Sequence, residues 1–504
     1  MRVPLQISPG LVSDETTYST PGNWADGENV RFRLGRAESI GGWEAYFASA
    51  LSGVCRSMVA WIDNLSQTNI AFGTHSGLYV IKSGVLYDIT PVGLGSGEID
   101  TITYPSGYGG GGYGMGAYSV GQSEAQARVW SLALYGQSLV ASPSEGSVYL
   151  WGNDPLVPAA IITDAPSSCS RVVVTPERQI LAFGVTKVDG TYNPMGIRAS
   201  DIEDPSNWTP ATDNNSFETA VEGGGFIVDC QLLGSFLLIW TDNALFLGQF
   251  VDSDSQSYRF DKVASGCGLI GPQAAIVVNQ TAYWMTPDLR FFAFQYGGIP
   301  TEIPCPISRE FRENVDLDQS AKIVASSIGK FSEVWWFYPD SRDGNENSRY
   351  VSLNVGDQAL PWSKGPIART AFIDSGPLAY PLGVDEAGQT YLHEKGNEAD
   401  GVALSWFVES SSQYLGEGER RTLLRGVWPD FEAQQGDVSL TVKVRAYPQG
   451  TGASKGPFTL PVGREKRDFM AEGRMVALRF SASAAPTFAR IGKPSFDVEL
   501  LGER

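Results

Sequence analysis

Histidine is nearly absent from this chain, which has only two among 504 residues. His75 in FGTHSGLYV and His393 in TYLHEKG each lie near an expected turn, with no second histidine at metal-ligand spacing. Because histidine is the commonest metal ligand and a frequent general base, we expect both to be exposed turn residues. A nucleophile elbow, a nucleotide-binding glycine motif and a complete calcium loop are also missing. The sequence therefore predicts no catalytic residue, no metal site and no cofactor, and a protein that is not an enzyme.

Cysteine and long apolar runs are scarce too. The five cysteines are scattered and include no CxxC pair, which favours buried thiols in a reducing compartment over disulfides or zinc. The longest apolar stretch, LLGSFLLIW at 232–240, has the length of a strand and not the eighteen or so residues of a membrane span. The start MRVPLQISPG lacks the basic and apolar regions of a secretory signal. We expect synthesis in the cytoplasm and no membrane span.

Basic residues are outnumbered, with 37 Lys and Arg against 56 Asp and Glu, and the formal net charge is −19. Proteins that hold nucleic acid tightly do so through Lys and Arg contacts to phosphate and display a basic surface. The composition therefore argues against tight DNA binding by the chain as a whole.

Turn-forming residues and aromatics are abundant. The 57 glycines and 29 prolines recur between short apolar runs, and aromatic residues make up 11% of the chain. Glycine and proline mark turns, aromatics favour pleated surfaces, and no long helical periodicity is present. The pattern predicts an all-β protein.

A loose repeat occupies residues 51–396. Units of short apolar strands and polar turns begin near residues 56, 128, 170, 226, 274, 322 and 370. A period of about 40 to 60 residues with three or four strands per unit is typical of propeller blades. We therefore expect a degenerate β-propeller with six or seven blades, and a long array of β-sandwiches is the structural alternative.

The two ends of the chain and one internal stretch differ from this repeat. Residues 1–50 contain few apolar runs, which predicts an extended N-terminal arm that buries its aromatic side chains against a neighbouring surface. Residues 397–504 contain longer alternating strands typical of a β-sandwich. The Gly/Tyr-rich stretch at 104–121 is expected to be a mobile projecting loop, because ordering glycine is entropically costly; its tyrosines include Tyr108, Tyr113 and Tyr118.

The N-terminal segment carries the most specific motif, GENVRFRLGRAESIGGW, which contains Arg31, Phe32, Arg33 and Trp43 and is preceded by Trp24. This phrase resembles the start of the tail nozzle proteins of short-tailed bacteriophages, also called tail tubular protein B or packaged-DNA stabilisation proteins. The stretch GIRASDIEDPSNWTP and the strand-rich ending of the chain are similar to that family as well. The similarity extends along much of the chain, and none of its motifs is an active-site signature.

This resemblance implies a structural protein of the virion tail, made in the host cytoplasm. Its subunits would form a homo-oligomer, a hexamer, below the portal and the adaptor (head-to-tail connector) protein, and the ring would retain and then conduct DNA without binding it tightly. The N-terminal residues Trp24, Arg31, Phe32, Arg33 and Trp43 are the expected contacts to another subunit or to the adaptor, and tail fibre or plug proteins are further candidate partners. The alternative is a carbohydrate-active or receptor-binding propeller protein of a phage tail, for which Trp335 and Trp336 could supply an aromatic platform.

Overall fold

The structure, a computed structural model, describes residues 1–104, 123–251, 256–414 and 420–501. Within these ranges it has forty-six strands against one short α-helix and two 3-10 helices. The all-β class expected from the sequence is confirmed. The strands form two parts, a ring of small sheets and a second region that combines both ends of the chain.

The N-terminal segment consists of five short strands. They are β1 (Arg2–Pro4), β2 (Trp24–Glu28), β3 (Val30–Arg33), β4 (Arg36–Ser39) and β5 (Trp43–Ala45). The first four pair with one another or with strands of the C-terminal region, whereas β5 pairs with the ring.

Antiparallel sheets that run in chain order make up the ring. The first blade is β6 (Cys55–Ile62), β7 (Thr68–Thr74), β8 (Leu78–Lys82) and β9 (Val85–Asp88), after which β10 (Ile102–Tyr104) and β11 (Ser123–Ala125) pair as a separate hairpin. The second is β12 (Trp130–Tyr135), β13 (Ser138–Pro143), β14 (Tyr149–Trp151) and β15 (Ala160–Ile161), and the third is β16 (Cys169–Val174), β17 (Ile180–Thr186), β18 (Tyr192–Ala199) and β19 (Phe217–Ala220). The fourth is β20 (Ile227–Leu233), β21 (Phe236–Thr241), β22 (Ala244–Phe250) and β23 (Tyr258–Ser265).

The remaining blades follow the same order. The fifth is β24 (Ala275–Val278), β25 (Thr281–Met285), β26 (Phe291–Gln295) and β27 (Thr301–Ile303). Before the sixth blade come α1 (Ser308–Asn314) and a 3-10 helix (Leu317–Lys322). The sixth is β28 (Val324–Ile328), β29 (Glu333–Pro339), β30 (Asn347–Asn354) and β31 (Trp362–Gly365), with a 3-10 turn (Gly329–Phe331) after β28. The seventh contains β32 (Ala371–Ile373), β33 (Leu382–Val384) and β34 (Thr390–His393), extended by β35 (Glu398–Ala399) and β36 (Val402–Ala403).

The first strands of these sheets close into a circle. Each contacts the first strand of the next blade, and the seventh contacts the first. They begin at residues 55, 130, 169, 227, 275, 324 and 371, within two residues of the expected unit starts. The described residues thus form a seven-bladed propeller, which confirms the propeller and excludes the array of sandwiches.

The seventh blade is completed by the N-terminal segment. Strand β5 pairs antiparallel with β34, so that Trp43 lies opposite His393 and Ala45 opposite Tyr391. Such a joint holds a ring built from one chain closed, because the last blade takes a strand from the other end of the chain and so ties the two ends together. The start of the chain therefore closes the propeller.

The C-terminal region forms a sandwich together with strands β1 to β4. Its own strands are β37 (Trp406–Ser410), β38 (Gln413–Tyr414), β39 (Thr422–Trp428), β40 (Phe431–Gln435), β41 (Val438–Arg445), β42 (Ala453–Leu460), β43 (Arg467–Gly473), β44 (Met475–Ala482), β45 (Phe488–Ile491) and β46 (Ser495–Leu500). Strand β2 forms the edge of one sheet beside β37, β1 pairs with β46, and β4 pairs with β45. Alternating burial along β41 gives the sandwich its inner face, and this core is continuous with that of blades four to six.

Candidate functional site

The N-terminal residues singled out from the sequence lie at the junction of the two parts. Trp24 is 3% exposed and Phe32 is 2% exposed, and both belong to the core shared by the propeller and the sandwich. Arg31 is buried as well. The expectation that another subunit or the adaptor covers these three side chains is therefore corrected: the chain covers them itself, because β2 and β3 lie against β31 of the sixth blade.

Two residues of the same set remain partly accessible. Arg33 is exposed with its guanidinium over the ring of Phe331, and Trp43 is half-buried. Contact of these two residues with another subunit or the adaptor stays a prediction.

Arg31 binds two carboxylates from different blades. Its Nε donates to Glu333 Oε1 at 3.0 Å, and its two Nη atoms donate to the carboxylate of Glu394 at 2.8 and 2.5 Å. Glu333 begins β29 of the sixth blade, whereas Glu394 follows β34 of the seventh. These three residues, here called the domain clamp, join the N-terminal segment to two neighbouring blades.

Burial dominates the electrostatics of the domain clamp. The side chains of Arg31 and Glu333 are each 3% exposed and that of Glu394 is 6% exposed. Burial raises the pKa of Glu333, although Arg31 opposes the shift. Burial alone would lower the pKa of Arg31, but the carboxylates of Glu333 and Glu394 raise it above its usual value. The cluster is thus almost excluded from solvent, and removal of one member of such a buried pair is costly.

The Gly-Gly-Trp end of the motif fits tightly against the seventh blade. A Cβ atom at Gly42 would overlap the backbone of Glu398, and one at Gly41 would overlap Glu394. Next to them the ring of Trp43 lies 5.3 Å from that of His393. Glycine is required here because two backbones approach closely.

His393 corrects one sequence expectation. Its side chain is buried in the seventh blade, not exposed in a turn, and Arg369 Nε donates to its Nε2 at 2.8 Å. Burial, together with Arg369, lowers the pKa of His393 well below its usual value. The ring is therefore a neutral acceptor within the blade, whereas His75 is half-buried and accepts from the Val54 amide at 2.9 Å.

A cavity of about 650 Å³ follows the propeller axis and is lined by residues from the beginnings of all seven blades. This volume is that of a small-molecule pocket, for which roughly 300–1,000 Å³ is usual, and not that of a channel for a duplex. Duplex DNA cannot pass through a single propeller.

One end of the cavity is also closed by side chains that reach across it. Arg171 of the third blade pairs with Asp229 of the fourth at 3.2 Å and donates to the Pro272 carbonyl beside the fifth. Gln273 donates in turn to Ser57 Oγ of the first blade. We call Arg171, Asp229, Gln273 and Ser57 the axial plug.

The axial plug was missed by sequence reasoning. A signal for it exists, because Arg56, Arg171 and Asp229 each interrupt the first apolar positions of an inner strand. Burial raises the pKa of Asp229 to about 6, against the opposing effect of Arg171. Its carboxylate is therefore the axial group whose charge changes in mildly acidic solution.

The expected mobile-loop residues Tyr108, Tyr113 and Tyr118 lie outside the described residues. The chain leading to them is anchored near the plugged end of the axis: Gln319 exchanges two 3.0 Å hydrogen bonds with the Thr101 backbone, and Lys322 binds Asp100 at 2.5 Å. In the same stretch, the carbonyl of Ile99 accepts a 2.7 Å hydrogen bond from Arg56.

The proposed aromatic platform is not accessible. Trp335 is 2% exposed and packs between the sixth and seventh blades, whereas Trp336 is fully buried in the core shared by the propeller and the sandwich. Across the described ranges, no group of three His, Cys, Asp or Glu side chains is placed to hold a metal ion. All five cysteines are free thiols, and four of them are buried.

Among the helices of residues 1–104, 123–251, 256–414 and 420–501, none has the length and hydropathy needed to cross a membrane.

No protein-family model matches this chain, and no curated protein sequence does. Solved structures similar to it include that of YCF48 bound to a D1 peptide, with a TM-score of 0.41 and 10% identity over 70% of this chain and 97% of that one. Another is PorZ, a surface component of the type IX secretion system of Porphyromonas gingivalis, with a TM-score of 0.38 and 11% identity over 85% of this chain and 46% of that one. At these values neither similarity bears on what this chain binds.

Proposed function

We propose that this chain is a structural subunit of the tail nozzle of a short-tailed bacteriophage. Identical subunits, six to a ring, would continue the DNA channel below the portal and the adaptor protein. The observation that carries the proposal is the N-terminal motif with Arg31, Phe32 and Trp43, which resembles the start of that family.

The structural role of this motif supports the proposal. Arg31 joins two blades, Phe32 enters the shared core, and Gly41 and Gly42 admit the strand that closes the propeller. These contacts make the motif structural, in keeping with a resemblance that includes no active-site signature. The second similar stretch is also structural: Arg198 donates to the Trp208 carbonyl at 3.2 Å and thereby holds the long loop of the third blade.

The DNA channel would lie between subunits and not inside one propeller. The axial cavity is too small for a duplex and is closed by the axial plug. A ring of subunits with a net charge of −19 each would present DNA with a weakly repulsive wall. Such a wall lets DNA slide, because phosphate pairing adds a salt-dependent hold at every contact. The genome would then be retained by a constriction or by a plug protein.

The proposal is tested by the assembly state of the purified chain. We expect mass photometry to show hexamers of the chain alone, or of the chain mixed with a phage adaptor protein. Cryo-EM should show a six-fold ring with a lumen wide enough for a duplex. A chain that stays monomeric in both conditions, or that turns over glycans, would contradict the proposal.

A further inference from the structure

The charge of the chain is distributed unevenly between its two parts. Residues 1–400, which include the whole propeller, carry 23 Lys and Arg against 44 Asp and Glu. Residues 401–504, which supply most strands of the sandwich, carry 14 Lys and Arg against 12 Asp and Glu. The net negative charge therefore belongs to the propeller and the N-terminal segment, whereas the C-terminal strands are slightly basic.

Cations without ion pairs lie along one side of the sandwich. Strand β42 is the last strand of its sheet, and most of its residues are exposed. The stretch 445–474, which the structure describes throughout, contains six Lys and Arg, of which only Lys466 forms an ion pair with a described residue. The other five are here called the basic edge: Arg445, Lys455, Arg464, Arg467 and Arg474.

Aromatic rings hold part of the basic edge in place. The guanidinium of Arg467 lies 5.4 Å from the centre of the Phe458 ring, and that of Arg474 lies 5.0 Å from the centre of the Tyr447 ring. A side chain that is already held loses less freedom when a carboxylate binds it, which favours binding. Pro457 lies on the free side of β42 and opposes the addition of another strand. The basic edge therefore offers a partner its side chains and not its backbone.

An acidic surface of matching kind lies on the third blade and its neighbour. Residues 199–258 contain ten Asp and Glu and no Lys or Arg. In the loop between β18 and β19, Glu203, Asp204 and Asp213 are exposed, and none of them forms an ion pair with a described residue. The side chain of Asn214 orders this loop through hydrogen bonds to its backbone. We call Glu203, Asp204 and Asp213 the acidic loop.

We infer that the basic edge of one subunit contacts the acidic loop of the next subunit. The inference rests on the proposed role as a ring subunit and adds which surfaces meet. The two sets of charges are opposite in sign and unmatched within one chain, and complementary charges speed association and select the partner. A contact between two different surfaces repeats head to tail and can close into a ring. Duplex DNA fits the basic edge less well, because the rest of the chain is strongly acidic and repels phosphate.

Charge reversal at each surface tests the inference. Lys455→Glu with Arg464→Glu reverses the basic edge, and Glu203→Lys with Asp213→Lys reverses the acidic loop. Each double variant places like charges opposite each other at every contact, so the chain concentration at half-assembly should rise by about tenfold or more. Sedimentation velocity measures it under the condition, with or without the adaptor, in which the unmodified chain forms rings. Reversal of the acidic loop lowers the net negative charge, so general repulsion cannot explain a loss of assembly.

A matched control and a mixture complete the test. Arg309→Glu with Lys330→Glu reverses two exposed cations outside both surfaces and should leave assembly unchanged. In an equimolar mixture of the two reversed variants, every contact of an alternating ring again joins opposite charges, so rings should return. Their return also shows that both variants are folded.

The outcomes separate this inference from the proposed function. An unmodified chain that stays monomeric would overturn both. Rings that survive either reversal, or two variants that are folded by circular dichroism and do not assemble together, would overturn this inference alone. If reversal of the basic edge leaves the rings intact but abolishes binding of a labelled DNA duplex, the basic edge is a nucleic-acid surface and the inference is wrong.

Discussion

The guanidinium of Arg31 lies between the carboxylates of Glu333 and Glu394. Its two Nη atoms are 2.8 and 2.5 Å from the oxygens of Glu394, and its Nε is 3.0 Å from an oxygen of Glu333. Through these bonds a residue near the start of the chain fixes two blades formed more than 300 residues later. The domain clamp thus makes the closing of the propeller depend on the N-terminal segment.

Arg31→Ala should destabilise the protein strongly. The change leaves two buried carboxylates without their cation, which costs about 3–5 kcal/mol of unfolding free energy when a buried pair is broken. Urea unfolding followed by tryptophan fluorescence measures the loss. Arg309→Ala is the matched control, because Arg309 and Glu313 form an exposed pair 3.2 Å apart whose loss should cost less than about 1 kcal/mol. Equal effects of the two changes would show that the domain clamp does not stabilise the fold.

Gly42→Ala should weaken closure of the seventh blade. The added methyl group would overlap the Glu398 backbone, and overpacking of this kind costs about 1–3 kcal/mol. We expect a lower melting temperature in calorimetry. Gly152→Ala adds the same group where nothing lies within 4 Å and should leave the melting temperature nearly unchanged. A normal melting temperature for Gly42→Ala would argue against the close approach.

Asp229 should make stability depend on pH between about 4 and 6. Burial raises its pKa to about 6, so the folded chain binds a proton in this range that the unfolded chain releases. Protonation of Asp229 therefore contributes up to roughly 3 kcal/mol to the free energy of unfolding at low pH, and this contribution is lost as the pH rises through 6. We compare the free energy of unfolding of the unmodified chain with that of Asp229→Asn by urea unfolding. The value for the unmodified chain should decrease, relative to that of the variant, as the pH rises from 4.5 to 7.5. Asp213→Asn, at an exposed position, should show no such trend.

Deletion of residues 1–45 should abolish the stable fold. It removes the outer strand of the seventh blade, the domain clamp and the buried rings of Trp24 and Phe32. Limited proteolysis should therefore degrade the truncated chain across the propeller, whereas the unmodified chain should stay resistant. A protease-resistant propeller after the longer deletion would restore the interpretation of residues 1–50 as a separable arm.

Duplex DNA should bind weakly even at low salt. The 56 acidic residues exceed the 37 basic ones, and Lys–phosphate and Arg–phosphate pairs supply most non-specific affinity. Fluorescence anisotropy with a short labelled duplex should show no saturation at micromolar protein. Submicromolar binding with a steep salt dependence would instead indicate a basic lumen within the proposed ring.

The sequence by itself determined the all-β class, the propeller repeat and the start of each blade, because strand and turn preferences are local and recur along the chain. Only the tertiary structure decided where the ends of the chain go. Trp24, Phe32 and Trp43 find their partners hundreds of residues away, in β37, β31 and β34. The axial plug depended on tertiary structure for the same reason: Arg171, Asp229 and Gln273 are separated in the chain and meet only when the inner strands close into a ring.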